Sequence, residues 1–227
     1  MANKELESFS YSVSHDLRAP LASMIGFCNI LLEDYADKLD REGCDYLQRI
    51  KSAGSKMSRL INDILSLSKI SFHDMHLENV NMSDIADEIV RELRESDPGR
   101  KIEILIDRDC HVHADAKMVG IALKNLIRNA WKYTGKVANP QIAFGSFKRE
   151  SERIYFVRDN GAGFDQKKAY MLFIPFKRLH SEHDFPGTGI GLAIVERVIK
   201  RHGGKISAEG ELGRGSTFYF TLGPTVL

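Results

Sequence analysis

The strongest constraint on this chain is an apolar stripe in its first 35 residues, whose members follow one another at spacings of three or four. The stripe consists of Leu6, Phe9, Val13, Leu17, Leu21, Met24, Cys28, Leu31 and Tyr35. Such spacing is typical of one face of a long helix buried in a bundle, so we predict a helix over residues 3–36. A polar turn at 37–43 and a second apolar series over 41–70 complete a predicted helical hairpin.

A lone hairpin of this length leaves much of its apolar surface uncovered, so we expect two copies to form a dimeric four-helix bundle. Charged residues recur on the other faces of both helices, which makes burial in a membrane the weaker alternative. The homodimer is therefore the first partner that the sequence predicts.

His15 lies two residues from both Val13 and Leu17, so at about 100° per residue it projects away from the apolar stripe. Asp16 follows it directly, and Pro20 lies five residues further along. An exposed histidine beside a carboxylate, on a helix that can bend, indicates that His15 is an acceptor of some chemical group and not a core residue.

Composition excludes several classes of partner. Lys and Arg total 32 against 31 for Asp and Glu, so no net field attracts nucleic acid or anionic lipid.

The chain has no signal peptide and no long apolar run, which predicts a cytoplasmic protein without membrane contact in this part. We expect it to belong to a longer protein, whose upstream part can be membrane-bound. The three cysteines lack CxxC spacing, and Cys28 falls in the apolar stripe, which favours core packing over metal or disulfide.

Around residue 73 the pattern changes, which predicts a helical hairpin domain over 1–73 and a second domain over 74–227. The stretch 71–76 reads as a solvated linker rather than a metal site, because its two histidines lack partners at ligand spacing. We predict helices over 83–93 (capped by Ser83), 115–133 and 189–202, and strands over 77–80, 101–107, 111–113, 141–148, 153–158, 205–209 and 216–222. This order predicts an α+β sandwich with a mostly antiparallel sheet.

Asp159 and the glycines Gly161 and Gly163 follow directly on a predicted strand. A carboxylate at a strand end can accept a hydrogen bond from an exocyclic amine, and glycines let the backbone approach a flat ring closely. An ordinary hairpin turn is the alternative, since Asp-Gly and Asn-Gly pairs are common there.

A glycine-rich run at 187–193 opens a predicted helix. Backbone N–H groups at a helix start can hold phosphate, and Thr188 adds a hydroxyl. The run is neither a P-loop nor a dinucleotide fingerprint, because no Gly-Lys-Ser/Thr follows and no strand precedes it. A flexible helix start is the alternative.

Asn125, Asn129 and Lys132 recur at spacings of four and three, so they share one helix face. Amide oxygens suit the hard cation Mg²⁺, and an ammonium group suits the phosphates of a nucleotide. The alternative is the exposed polar face that most helices carry.

Taken together, these motifs resemble the kinase core of the two-component sensor histidine kinases. The sequence is similar to that family at its H box (14–21), N box (125–134), G1 box (159–163), F box (173–178) and G2 box (187–192), and at tail segments 203–206 and 213–218. The stretch 179–187 resembles the phytochrome-type members.

The resemblance implies an ATP-binding domain of the Bergerat (GHKL) type, with ATP and Mg²⁺ as cofactors. Asp159 would hold the adenine amino group, Asn129 would be the main Mg²⁺ ligand, and Asn125 would support it. Residues 173–186 would form a mobile lid over ATP. The implied nucleotide contacts are Asn125, Asn129, Lys132, Tyr133, Asp159, Gly161, Gly163, Lys177, Arg178, Gly187, Thr188, Gly189, Gly191 and Leu192.

In this reading His15 attacks the γ-phosphate through Nε2, and Asp16 accepts the proton on the other ring nitrogen. Lys177 and Arg178 would spread the charge on the γ-phosphate. For Phe173 and Phe176, core packing under the lid is an equal alternative to nucleotide contact. Pro20 would let the helix bend near the nucleophile. Ala19 departs from the Thr or Asn of many relatives and predicts weak or absent phosphatase activity.

The resulting prediction is an ATP-dependent protein histidine kinase that transfers its phosphoryl group to an aspartate of a response regulator. Two alternatives remain at this point: a GHKL-type conformational ATPase, and a non-catalytic dimeric phosphorelay scaffold. The exposed histidine on the hairpin opposes the first, and the complete set of nucleotide motifs opposes the second.

Overall fold

The computed structural model describes residues 2–72, 74–150, 152–181 and 184–223, with side chains described from residue 16 to 70 in the first range. The chain divides after Phe72 into two compact units, and each is described by itself. Within the described residues, no helix combines the length and the apolar character needed to span a bilayer.

The first unit is the predicted helical hairpin. It contains α1 (Ala2–Asp34), a short 3-10 turn (Ala36–Lys38) and α2 (Arg41–Phe72). Asp40 starts α2, because its carboxylate accepts the Gly43 N–H at 2.7 Å and its carbonyl accepts the Cys44 N–H. Pro20 lies inside α1 without ending it.

The apolar stripe divides between two environments. Leu21 packs with Ile61 and Leu65 in the seam between the helices, and Cys28 is a buried free thiol, as its place in the stripe predicted. A further set of large apolar side chains stays exposed: Leu17, Met24, Phe27, Ile30, Leu31, Tyr35, Tyr46, Ile50, Met57 and Ile64. The single hairpin therefore covers only part of its apolar surface.

The second unit is an α/β sandwich, as predicted. Its elements are β1 (Leu77–Asn81), α3 (Met82–Ser96), β2 (Glu103–Ile106), β3 (His111–Asp115), α4 (Ala116–Tyr133), β4 (Gln141–Arg149), β5 (Glu152–Asp159), a 3-10 helix (Gln166–Met171), α5 (Gly191–Arg201), β6 (Ile206–Glu211) and β7 (Gly215–Phe220).

Five strands form one sheet in the order β2-β4-β5-β7-β6, and β1 pairs with β3 in a separate ribbon. The large sheet is antiparallel except between β2 and β4. Along β5, Tyr155, Val157 and Asp159 are buried in alternation with less buried neighbours, which marks one core-facing side of the strand. α4 contacts this strand and also packs against α3 and α5.

The predicted cap of α3 is wrong. Asn81, the last residue of β1, caps the helix by accepting the Ser83 N–H at 3.1 Å. Ser83 is instead buried, where its hydroxyl donates to the Asp107 carbonyl and accepts the Cys110 N–H. With Asn81 as the cap, α3 starts at Met82, two residues earlier than a Ser83 cap would start it.

Candidate functional site

Asp159 ends β5 with its carboxylate buried and its side chain 5% exposed. One carboxylate oxygen accepts the Gly161 N–H at 2.8 Å, and the other accepts the Ser216 hydroxyl at 2.6 Å. Burial raises the pKa of this carboxyl, and the hydrogen bonds from Ser216 and Gly161 act in the opposite direction. The result is a fixed acceptor for a polar ligand group at the end of a central strand.

Ser216 was not identified from the sequence as a functional residue. It lies on β7 directly opposite Asp159 in the antiparallel ladder. Ser216 lies in the segment 213–218, which resembles the family but indicates no chemical role for this residue. The pairing of β5 with β7, across 57 residues, is what brings its hydroxyl to the carboxylate.

The loop after Asp159 is not a hairpin turn, because β5 pairs with β4 and β7 while the chain continues into the 3-10 helix. The loop is closely packed against α4, since the Ala162 N–H donates to the Tyr133 carbonyl. A Cβ on Gly161 would lie 2.5 Å from that carbonyl oxygen. Gly163 has φ +59°, and a Cβ there would lie 1.8 Å from the Glu211 carbonyl oxygen. Only glycine fits this second position.

The polar face of α4 is half-buried rather than exposed. Asn125 donates its amide N–H to the Ile121 carbonyl at 2.8 Å. Its side-chain oxygen lies against the start of α5, where a Cβ on Gly191 would come within 2.6 Å of it. Asn129, one turn further along, is also half-buried. The structure therefore brings the N box and the G2 box together, which neither spacing alone predicted.

Lys132 and Tyr133 continue this face at the end of α4. Burial and the neighbouring charge of Arg178 lower the pKa of Lys132 from 10.5 to about 8. Its Nζ lies 4.3 Å from the centre of the Tyr133 ring and would be 3.3 Å from a Cβ on Gly187. Burial raises the pKa of Tyr133, so its hydroxyl stays protonated near neutral pH.

The lid residues predicted to reach phosphate have different environments. Arg178 donates to the carbonyls of Gly187 (2.8 Å), Ser181 (3.3 Å) and Phe185, so its guanidinium is engaged by the lid itself. Lys177 is exposed. Phe176 is 60% exposed with φ 65°, so core packing is the wrong interpretation for this ring.

The glycine-rich run opens α5 later than predicted. Thr188 accepts the Ile190 N–H through its hydroxyl at 3.4 Å, and Gly189 has φ +78°. That left-handed residue cannot continue a right-handed helix, so α5 starts at Gly191. The N–H groups of Gly191 and Leu192 then lie in the first turn, where donors without helical partners are available to phosphate.

The predicted acceptor, His15, belongs to the first unit. The backbone of His15 lies within α1, and its side chain lies outside the described residues. Asp16, the next residue, is exposed. The predicted proton transfer between these two residues stays a prediction.

Comparison with known families adds an independent observation. Residues 5–72 match the family model described as the His Kinase A (phospho-acceptor) domain. Residues 114–225 match the model described as histidine kinase-, DNA gyrase B-, and HSP90-like ATPase. The chain belongs to the sensor histidine kinases. Its second unit is accordingly an ATP-binding domain of that ATPase family.

Several relatives of this histidine kinase core have curated names. Cyanobacterial phytochrome B of Nostoc sp. is 37% identical over 225 residues, covering 97% of this chain and 30% of that protein. Methanogenesis regulatory histidine kinase FilI of Methanothrix harundinacea is also 37% identical over 225 residues, covering 97% and 25%. Sensor histidine kinase WalK of Bacillus subtilis is 31% identical, covering 97% and 37%. The chain thus spans well under half of each relative.

Solved structures resemble the kinase core in fold. Full-length ShkA in complex with AMPPNP matches with a TM-score of 0.70 at 24% identity, over 95% of this chain and 45% of that chain. The catalytic domain of histidine kinase ThkA, in a nucleotide-free form, matches with a TM-score of 0.55 at 26% identity. That match covers 65% of this chain and 97% of the other.

Proposed function

We propose that this kinase core binds ATP, phosphorylates His15 and then transfers the phosphoryl group to an aspartate of a response-regulator receiver domain. The observation that carries the proposal is the buried Asp159 carboxylate, fixed by Ser216 and Gly161 at the end of β5. A buried acceptor of this kind is suited to the exocyclic amine of adenine, and the matched phospho-acceptor hairpin supplies a group to be phosphorylated.

The polar face of α4 suits the triphosphate. Lys132 and the first N–H groups of α5 supply positive potential, and Asn125 and Asn129 supply amide groups beside them. Tyr133 would border the sugar region, and Gly161 and Gly163 would lie along the base. Gly187, Thr188, Gly189, Gly191 and Leu192 would hold the phosphates. Lys177 and Arg178 would reach the γ-phosphate, for which Arg178 must exchange its lid carbonyl partners.

The donor set of the site fits Mg²⁺. No group of three or more His, Cys, Asp or Glu side chains suited to a metal ion occurs in the described part of the chain. Mg²⁺ characteristically uses few protein oxygens together with nucleotide phosphates and water, so two amide oxygens meet its requirement. Asn129 would be the main ligand with Asn125 in support, and the ion would neutralise charge on the phosphates.

Phosphorylation forms a bond between His15 Nε2 and the γ-phosphorus and breaks the bond from that phosphorus to the β,γ-bridging oxygen, which leaves as ADP. The attacking nitrogen needs a free lone pair, so His15 reacts as the neutral imidazole. Asp16 would hold the proton on the other ring nitrogen and offset the positive charge that develops there.

The same proposal covers organisation and partners. Residues 1–73 would form the dimerisation and phosphotransfer domain, and residues 74–227 the ATP-binding domain. The exposed apolar side chains of α1 and α2 support a homodimer through the hairpin. A conformational ATPase without a phosphorylated histidine, and a scaffold that binds without turnover, are the competing functions.

The decisive experiment incubates the chain with Mg²⁺ and ATP labelled at the γ-phosphate. The wild type is compared with His15→Gln, Asn129→Ala and the matched control His113→Gln, an exposed histidine on β3. We expect acid-labile label on the wild type and the control, and loss of label in the other two. Label persisting in His15→Gln would place the nucleophile elsewhere, and hydrolysis without any protein label would favour the conformational ATPase.

A further inference from the structure

Three aromatic rings meet where the lid borders α4. Phe185, 7% exposed, lies 4.9 Å from the Tyr133 ring and 5.3 Å from the His180 ring, measured between ring centres. The Tyr133 and His180 rings are also 5.3 Å apart. We call these three residues the ring cluster. It joins two lid residues to the last turn of α4.

His180 also contacts the loop that follows Asp159. Its Nε2 lies 2.7 Å from the Gly163 carbonyl oxygen. A carbonyl can only accept, so Nε2 carries the hydrogen. Gly163 is the position where only glycine fits, and its backbone is fixed by the close approach of Glu211. His180 therefore donates to a rigid acceptor.

The described lid residues around His180 are also held by contacts with neighbouring segments. The Arg178 guanidinium donates to the Gly187 carbonyl oxygen, directly after the lid, at 2.8 Å. Lys136, outside the lid, forms an ion pair with Asp184 at 2.8 Å and lies over the Phe185 ring at 5.1 Å. An exposed ion pair of this type contributes little by itself. The buried Phe185 ring and the His180 hydrogen bond are the stronger attachments.

We propose that His180 is a positioning residue that latches the lid to the loop carrying Asp159 and Gly163 before nucleotide binds. The lid is then held in place by the Nε2–H donor and by the ring cluster. Because the latch orders the lid in advance, the lid loses less conformational entropy when nucleotide binds. The consequence for ATP rests on the proposed function, whereas the latch itself does not.

Hydrogen exchange of the nucleotide-free chain tests the latch directly. The latch has two contributions, the Nε2–H hydrogen bond and the contacts of the His180 ring. His180→Ala removes both, His180→Phe keeps a ring without a donor, and His180→Gln keeps a donor without a ring. The matched control is His113→Ala, an exposed histidine in the same unit. Amides of β5 and β7 report whether the fold stays intact.

We expect lid amides to exchange roughly five- to twentyfold faster in His180→Ala, from loss of one hydrogen bond and the ring contacts. His180→Phe should lose most of the protection and His180→Gln should recover part of it, with β5 and β7 unchanged. Lid exchange at the wild-type rate in His180→Ala would overturn the latch. Wild-type protection in His180→Phe would equally overturn it, because packing alone would then hold the lid.

A second measurement links the latch to nucleotide. The dissociation constant of a non-hydrolysable ATP analogue should rise about fivefold in His180→Phe, with the phosphorylation rate at saturating ATP unchanged. An unchanged dissociation constant beside a loosened lid would contradict the nucleotide part of the proposal. If the wild type bound no analogue, the proposed function would fail, and the exchange experiment would still decide the latch.

Discussion

At the scale of single residues, the charge of Lys132 depends on its surroundings. Burial and Arg178 lower its pKa from 10.5 to about 8, so the ammonium is charged below that pH and loses its proton as the pH rises through it. We expect the affinity for an ATP analogue to fall about tenfold between about pH 7 and about pH 9.5, as one charge-assisted contact to phosphate is lost. Fluorescence titration across this range measures it.

Two variants test whether Lys132 is the cause of the pH dependence of nucleotide binding. Lys132→Met should bind weakly at every pH and lose the fall in affinity. Lys124→Met, which removes a partly exposed lysine of the same helix that pairs with Glu92, should keep the wild-type profile. A flat profile in the wild type would show that Lys132 does not contact phosphate.

Ala19 is the second residue with a specific consequence. It lies four residues after His15, one turn along the same helix face, and is exposed. Because its methyl group cannot orient water, we expect release of phosphate from a phosphorylated cognate receiver to be slow in the presence of this chain. Ala19→Thr should accelerate that release severalfold, and Ala19→Val is the matched control of similar shape. Rapid release with the wild type would contradict the prediction.

At the scale of elements, the loop between β5 and the 3-10 helix depends on Gly163. We expect Gly163→Ala to lower the free energy of unfolding by about 2–4 kcal/mol, from left-handed backbone strain plus displacement of the Glu211 carbonyl. The control is Gly213→Ala, which has φ +74° and open space at its Cβ, with an expected cost of about 1 kcal/mol. Urea denaturation of the two variants compares them, and equal losses would reject the steric argument.

Helix α1 carries Pro20 in its interior, one turn after Asp16. A proline there removes one backbone hydrogen bond and crowds the Asp16 carbonyl, which lets the helix bend beside His15. We expect Pro20→Ala to slow autophosphorylation or transfer severalfold by stiffening α1. Rates of both steps, measured with labelled ATP and a receiver domain, test this. Unchanged rates for both steps would remove the role assigned to the bend.

At the scale of the whole molecule, the exposed apolar side chains of the hairpin predict its assembly. Met24 and Leu31 are 47% and 37% exposed in the single chain. More than half of each residue is already covered, so burying the remainder in a four-helix bundle would contribute about 0.5–1.5 kcal/mol each. We expect Met24→Glu with Leu31→Glu to convert a dimer to a monomer, as measured by light scattering. The control Leu212→Glu, which changes a more exposed leucine of the second unit (65%), should remain dimeric. A monomeric wild type would refute the assembly.

Many of the secondary-structure elements, and the residues that share a helix face, can be predicted from the spacing of residues along the sequence. The three-and-four pattern predicted the hairpin, because each helical turn returns a side chain to the same face. Asn125, Asn129 and Lys132 were placed on one face of α4 for the same reason. The glycine run at 187–193 predicted a helix start but not its first residue, since the backbone of Gly189 decides where the helix can begin.

The contacts that the tertiary structure decided join residues far apart in the chain. Ser216 reaches Asp159 because the register of β7 on β5 places them opposite each other. His180 reaches Gly163, and Arg178 reaches the lid carbonyls, because the lid folds back on itself and on α4. Local sequence specifies the elements and the chemical groups of this histidine kinase core, because both depend on neighbours along the chain. Strand register and loop packing, which depend on distant residues, decided which groups meet.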